Sequence, residues 1–225
     1  VESMQYSYSF SKELQQEWKW SEIFSAQPDI LKYANHVASR FDLRRNIEFN
    51  TTVMAAHFDE NTERWSIKTD KEENVSAQFF IMATGCISTT QIPKFKGLDD
   101  YQGDTYHTGA WPHGEVDLKS KSVAVIGTGS SGIQAIPVIA EQAGHVTVFQ
   151  RTPNYSLPAQ NGLMTEEYSK SWKDDYPSLR EQQRQSSKGI VGEYNNQSGI
   201  GVDEVERKAI YQERWAKGGT TLLGA

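Results

Sequence analysis

A chain of 225 residues with 37% apolar content is long enough for one large domain or two small ones and reads as globular. Its formal net charge of −6, with no basic run to grip a phosphate backbone, makes nucleic acid a poor partner. Its longest apolar runs, such as Phe79-Phe-Ile-Met-Ala83, fall far short of the roughly 18 residues of a membrane span, so the chain reads as soluble.

Cys86 is the only cysteine, which excludes an intrachain disulfide, a paired-cysteine redox centre and an all-cysteine metal site; a reducing, cytoplasmic compartment fits. No metal site is expected. Asn-x-Ser/Thr sequons at Asn50, Asn74, Asn154 and Asn196 carry little weight without a signal peptide. The chain starts at Val1 with no initiator Met and stops at "GGTTLLGA", so it is expected to be a piece of something longer.

Residues 28–41 open with Pro at a first-turn position and then place Ile30, Leu31, Ala34, Val37, Ala38 and Phe41 at helical spacing. An amphipathic helix follows from that pattern. The period then changes. "IEFNTTVMAAHFD" and "RWSIKTD" read as a β-meander, and "AQFFIMATG" as a buried strand that leaves its sheet at Ala83-Thr84-Gly85. Residues 86–120, rich in Gly, Pro and His, read as a connection.

Next comes strand, Gly turn, helix and strand in about thirty residues, the βαβ unit. Pro137 inside its helix is expected to kink it. Past residue 160 the chain is polar and helix-prone, and reads as a helical appendage with limited hydrophobic surface of its own.

The turn itself is Gly127-Thr-Gly129-Ser-Ser-Gly132. After a strand and before a helix, this spacing points to a dinucleotide. Gly127 allows the tight turn, Gly129 the approach of a pyrophosphate to backbone N–H groups, and Gly132 close packing of helix on strand. The helix N-terminus then offers unpaired donors and partial positive charge. A Gly-rich turn without a ligand is the plain alternative. In such units a carboxylate at the end of the second strand holds the adenosine ribose. Here that strand ends in Gln150-Arg151-Thr152, and a guanidinium pairs with a 2′-phosphate that an acid would repel. NADPH is therefore expected rather than NADH, with a merely solvated Arg151 as the alternative.

Tyr101-x-Gly103-x-x-x-His107-x-x-x-Trp111-Pro112 just ahead of this unit resembles the fingerprint of the flavin-dependent Baeyer-Villiger monooxygenases, with Tyr in place of the usual first Phe. The stretches "VESMQYSYSFSKELQQEW", "QPDILKYANHVASRFDLR", "MATGCIS", "GTGSSGIQ" and "VFQRTPNYSLPA" are similar to the same family.

The resemblance implies an α/β fold of two dinucleotide-binding, Rossmann-like domains, both incomplete, with a β-meander and a helical insertion. Residues 1–90 would be part of an FAD-binding domain. Residues 91–157 would be the linker with the fingerprint and the first part of an NADPH-binding domain, and residues 158–225 part of the insertion. It implies FAD and NADPH as cofactors, and a small-molecule ketone and O2 as substrates. One oxygen atom would enter beside the carbonyl, through a flavin C4a-peroxide, to give an ester or lactone.

By the same resemblance Tyr6, Ala83, Thr84 and Gly85 would lie at the flavin, and Cys86 and Ile87 at the start of an active-site segment; an inert buried thiol is the alternative for Cys86. Thr128, Ser130 and Ser131 would contact the pyrophosphate, and Arg151 with Thr152 the 2′-phosphate. Gly103, His107, Trp111 and Pro112 would organise domain motion rather than touch substrate. The first FAD Gly motif, an Asp and a catalytic Arg of the family would fall outside the chain, leaving no catalytic residue within it. An N- or S-oxidising flavin monooxygenase and a non-catalytic NADPH-binding module are the alternatives. Oligomeric state is not legible.

Overall fold

The computed structural model describes residues 1–192 and 200–219, so the Asn196 sequon and the last residues, including "TTLLGA", lie outside the described part. The chain forms two compact units, Val1–Asn50 with Ser156–Ala225, and Thr51–Tyr155. The two ends of the chain together build the first of them.

In that body α1 (Ser3–Tyr6), α2 (Lys12–Glu17) and α3 (Gln27–Arg40) come from the N-terminal end. Ser11 caps α2, its hydroxyl accepting from the Leu14 N–H at 3.1 Å. Pro28 and Asp29 occupy the first turn of α3, where a missing N–H costs nothing and a negative charge is favoured. The Asp29 carboxylate accepts from the Ser21 N–H, the Ser21 hydroxyl and the Ser25 hydroxyl, which fixes the loop that feeds the helix.

The C-terminal end supplies α5 (Glu166–Asp174), α6 (Tyr176–Gln185) and α7 (Glu204–Lys217), the first capped by Thr165 and the last by Asp203. The intervening α4 (Ser130–Gln142) belongs to the second unit. Met4, Leu14, Trp20, Tyr33, Val37, Trp172 and Tyr176 form one core. The helical segment is therefore no appendage with little apolar surface. Trp172 and Tyr176, on either side of the junction between α5 and α6, are 5% and 3% exposed and fill the space against Met4 and Trp20. Polar tethers follow them. Lys173 donates to the carbonyls of Gln16 and Trp18, and Arg180 to those of Gln5 and Ser7.

The buried stripe of α3 also differs from the expected one. Tyr33 and Val37 are buried, while Leu31 and Ala34 face solvent. The reason is aromatic: the rings of Trp18 and Trp20 pack at a tilt against Tyr33, with centroids 5.2 and 4.9 Å away, and cover that edge of the helix.

The second unit starts with a three-stranded antiparallel sheet, β1 (Val53–Asp59), β2 (Arg64–Thr69) and β3 (Asn74–Ala77), in sequence order. Phe58 and Trp65 pair across the first hairpin at 5.4 Å. The expected buried strand over residues 77–85 does not form among the described residues. The β3 ladder ends where Ala77 faces Trp65, one residue from the start of β2, so the chain runs past its partner. Phe80 still folds onto Trp65, but Phe79, Ile81 and Met82 are exposed.

The βαβ unit forms as expected, with β4 (Ser122–Ile126), α4 (Ser130–Gln142) and β5 (His145–Phe149), the two strands parallel and paired from Ser122↔His145 to Ile126↔Phe149. The helix continues through Pro137. The α/β class read from the sequence holds.

Candidate nucleotide site

The carboxyl ends of a parallel strand pair with a helix N-terminus above them are where this architecture binds ligands. Register brings Ile126 beside Phe149, so the Gly turn after β4 and the Gln150-Arg151-Thr152 run after β5 leave the sheet at the same edge. Gly127 has φ +100°, a left-handed conformation that only glycine adopts without strain, and its N–H donates to the Phe149 carbonyl at 2.9 Å. That bond closes the turn onto the second strand.

Gly132 sits directly over it. A β-carbon there would lie 2.5 Å from the Gly127 carbonyl oxygen. At Gly129, by contrast, a β-carbon would meet nothing within 4 Å. Gly129 is also the N-cap of α4 and supplies no capping side chain, so the first-turn N–H groups face that open space together with the Ser130 and Ser131 positions. A helix N-terminus of this kind can take an anion against its backbone donors, and the space over Gly129 is open.

Arg151 is exposed and has no hydrogen-bond or ion-pair partner among the described residues. Among the described residues its guanidinium is committed to nothing, as a phosphate reader requires. Thr152 beside it is exposed as well. Two residues not picked out from sequence join this edge. Gln150 Nε2 donates to Thr128 Oγ1 at 2.9 Å, and Asn154 Nδ2 donates to the Thr128 carbonyl at 3.0 Å and to Oγ1 at 3.4 Å. The available signal was a pair of amides flanking Arg151-Thr152 after a strand end.

The run 101–112 lies in the same unit. Tyr101 folds its ring over Gly103, where a β-carbon would collide with it. Asp104 pairs with Lys121 at 3.3 Å, tying the run to the entry of β4. His107 caps a short 3-10 turn, Thr108–Ala110; its Nδ1 accepts from the Gly109 N–H at 3.0 Å, so the neutral ring carries its proton on Nε2. Trp111 stacks on Tyr106 at 5.5 Å and, with Thr108, Val116 and Leu118, lines an open groove of ≈ 690 Å³ along α4.

Tyr6 is in the first unit, 6.4 Å from the Trp20 ring. Ala83, Thr84 and Gly85 are exposed in the second, in a turn closed by the Ser88 hydroxyl donating to the Thr84 carbonyl at 2.6 Å. Cys86 is exposed, which removes the reading of it as a buried inert thiol, and Ile87 is 92% exposed. Among the described residues no group of three or more His, Cys, Asp or Glu could hold a metal ion, and no helix is long and apolar enough to cross a membrane.

The sequence pattern described as pyridine nucleotide-disulphide oxidoreductase matches residues 4–173. A Baeyer-Villiger monooxygenase of Pseudooceanicola batsensis is 40% identical over 97% of this chain and 40% of its own length. A phenazine N-monooxygenase of Lysobacter antibioticus is 35% identical over 97% of this chain and 40% of its own. A solved structure described as oxidized steroid monooxygenase bound to NADP superposes with a TM-score of 0.91 and 49% identity, over 100% of this chain and 43% of that one. The chain thus spans about two fifths of the length of the curated relatives it matches. It belongs to the pyridine nucleotide-disulphide oxidoreductase family.

Proposed function

We propose that this chain is the part of an FAD- and NADPH-dependent Baeyer-Villiger monooxygenase that holds the nicotinamide dinucleotide, in a cytoplasmic enzyme acting on a small-molecule ketone and O2. One observation carries the reading. At a parallel strand edge, the turn requires glycine at 127 and 132 and leaves Gly129 open, beside a guanidinium with no partner among the described residues. A relative bound to NADP with 49% identity supports it.

In this reading the backbone of residues 127–132 holds the diphosphate, aided by the Thr128, Ser130 and Ser131 hydroxyls. Arg151 and Thr152 hold the 2′-phosphate, and Tyr6 with Ala83-Thr84-Gly85 belongs to the flavin. The chemistry supplied by bound FAD and NADPH is reduction and activation of O2, from which one oxygen atom enters beside the carbonyl to give an ester or lactone. The chain's own part is to orient the dinucleotide, with His107 and the Trp111-Pro112 pair organising motion rather than meeting substrate. What supports that last role is the tether from Asp104 to Lys121, which links the run to the nucleotide strand.

A second reading, oxidation at nitrogen, is favoured by the 35% identical phenazine N-monooxygenase. Product analysis of the full-length protein with a cyclic ketone and an aromatic N-heterocycle separates the two. The first reading expects lactone formation dependent on NADPH. N-oxide with no lactone would replace it with the second, and absence of NADPH consumption with either substrate would leave only a non-catalytic binding module.

A further inference from the structure

Thr128 sits at the tip of the Gly turn, half-buried, with its hydroxyl between two amide side chains. A hydroxyl has two lone pairs and one hydrogen, and which it offers depends on its surroundings. Here Gln150 Nε2 lies 2.9 Å from Oγ1 and Asn154 Nδ2 3.4 Å from it. The orientation of the Asn154 amide is fixed, because the same nitrogen is 3.0 Å from the Thr128 carbonyl oxygen, which can only accept. With the Gln150 amide presenting its nitrogen, Oγ1 accepts from both amides, from Gln150 at 2.9 Å and from Asn154 at the longer 3.4 Å. The hydroxyl hydrogen is left pointing away from both amides, and the next residue on the chain is Gly129, over which there is open space.

We propose that Gln150 and Asn154 are positioning residues that make Thr128 a dedicated hydrogen-bond donor to a phosphate oxygen of the dinucleotide. The proposal rests on the nucleotide reading of this edge. It also gives position 150 a second task. A carboxylate there would repel a 2′-phosphate and, being acceptor-only, would draw the Thr128 hydrogen toward itself and away from the ligand. An amide removes the charge and reverses the direction of the hydrogen bond. Arg151 attracts the anion, while Gln150 and Asn154 set the polarity of the turn it meets.

The test is equilibrium binding of NADP+ to the full-length protein, read by fluorescence titration, in a double-mutant cycle. Thr128→Val should weaken binding about tenfold, the scale of a hydrogen bond to a charged group, and Thr128→Ser should stay within about twofold of the parent. Gln150→Leu should cost roughly threefold to tenfold when Thr128 is present and under about twofold in the Thr128→Val background. Gln150→Glu, which keeps the side-chain size, should cost more than Gln150→Leu and serves where the leucine variant unfolds at lower temperature.

Equal losses for Gln150→Leu in both backgrounds would show that the amide merely props the turn, and would overturn the proposal, as would an inert Thr128→Val. A parent protein that takes up no NADP+ would overturn the nucleotide reading itself, a different result from a parent that binds while the cycle shows no coupling.

Discussion

Gly132 packs so closely onto Gly127 that a β-carbon at 132 would lie 2.5 Å from the Gly127 carbonyl oxygen, whereas one at Gly129 would touch nothing. The two substitutions should therefore separate folding from binding. Gly132→Ala meets backbone, so the turn and the first turn of α4 must part, at a cost of about 1–3 kcal/mol. Gly129 has φ −68° and ψ −178°, which alanine adopts freely. Gly129→Ala should hold or slightly raise the unfolding temperature while its methyl fills the space for a diphosphate. Thermal unfolding and NADP+ titration of both variants check this. A Gly129→Ala protein that binds as well as the parent would place the ligand elsewhere.

Arg151 leaves the sheet two residues after Phe149, free of any partner among the described residues. In the full-length protein Arg151→Ala should raise the KM for NADPH at least about tenfold, the scale of one charge-assisted contact, and leave use of NADH nearly unchanged. Steady-state kinetics with the two cofactors reads it directly. Equal losses with both would mean that the guanidinium does not meet the 2′-phosphate.

What was legible in the sequence was local. The Gly spacing, the strand before it and the arginine after the next strand each need only a few neighbouring residues, and all three fall where the pattern placed them. What was illegible depended on residues far apart in the chain. Tyr33 looked like one polar-tipped aromatic among the apolar residues of α3, until Trp18 and Trp20 are seen to cover it. Trp172 and Tyr176 were hidden by the charged residues around them, and because they lie on two different helices no single helical period marks them as one buried patch. Residues 79–82 misled in the opposite sense, because an apolar run states that burial is wanted and not that a neighbouring strand is there to provide it. Gln150 and Asn154 offered only the weak signal of two amides flanking Arg151-Thr152, and their role is visible once the hydroxyl between them is known.

The helical segment after residue 160 is part of the first unit's core rather than an attachment to it. Trp172→Ala would leave a cavity beside Met4, Leu14 and Tyr176, at a cost of about 3–5 kcal/mol. Val205→Ala, at a side chain 76% exposed on α7, should change stability by no more than about 0.5 kcal/mol. Chemical denaturation of both, followed by tryptophan fluorescence and by circular dichroism, distinguishes them. A Trp172→Ala protein as stable as the Val205→Ala one would show that the two ends of the chain do not share a core.

Asp29 gives the first unit a defined acid response. Burial pushes its carboxyl up, but the Ser25 hydroxyl, the Ser21 N–H and hydroxyl, and the nearby Lys32 together outweigh that, so the group titrates below the usual aspartate range. A carboxyl whose folded value is depressed stabilises the protein at all pH values above its unfolded value, about 3.9, and that contribution disappears as pH falls through the lower folded value. Asp29→Asn cannot ionise and should lose the contribution at neutral pH. The parent should therefore unfold at the higher temperature at pH 7. Its advantage should shrink as pH falls below about 4 and through the depressed folded value until the two proteins converge, because a protonated Asp29 and the amide that replaces it are then alike in charge. Unfolding temperatures across that range decide the matter: two curves that stay parallel down to about pH 2 would show that the loop before α3 draws no stability from an ionised Asp29.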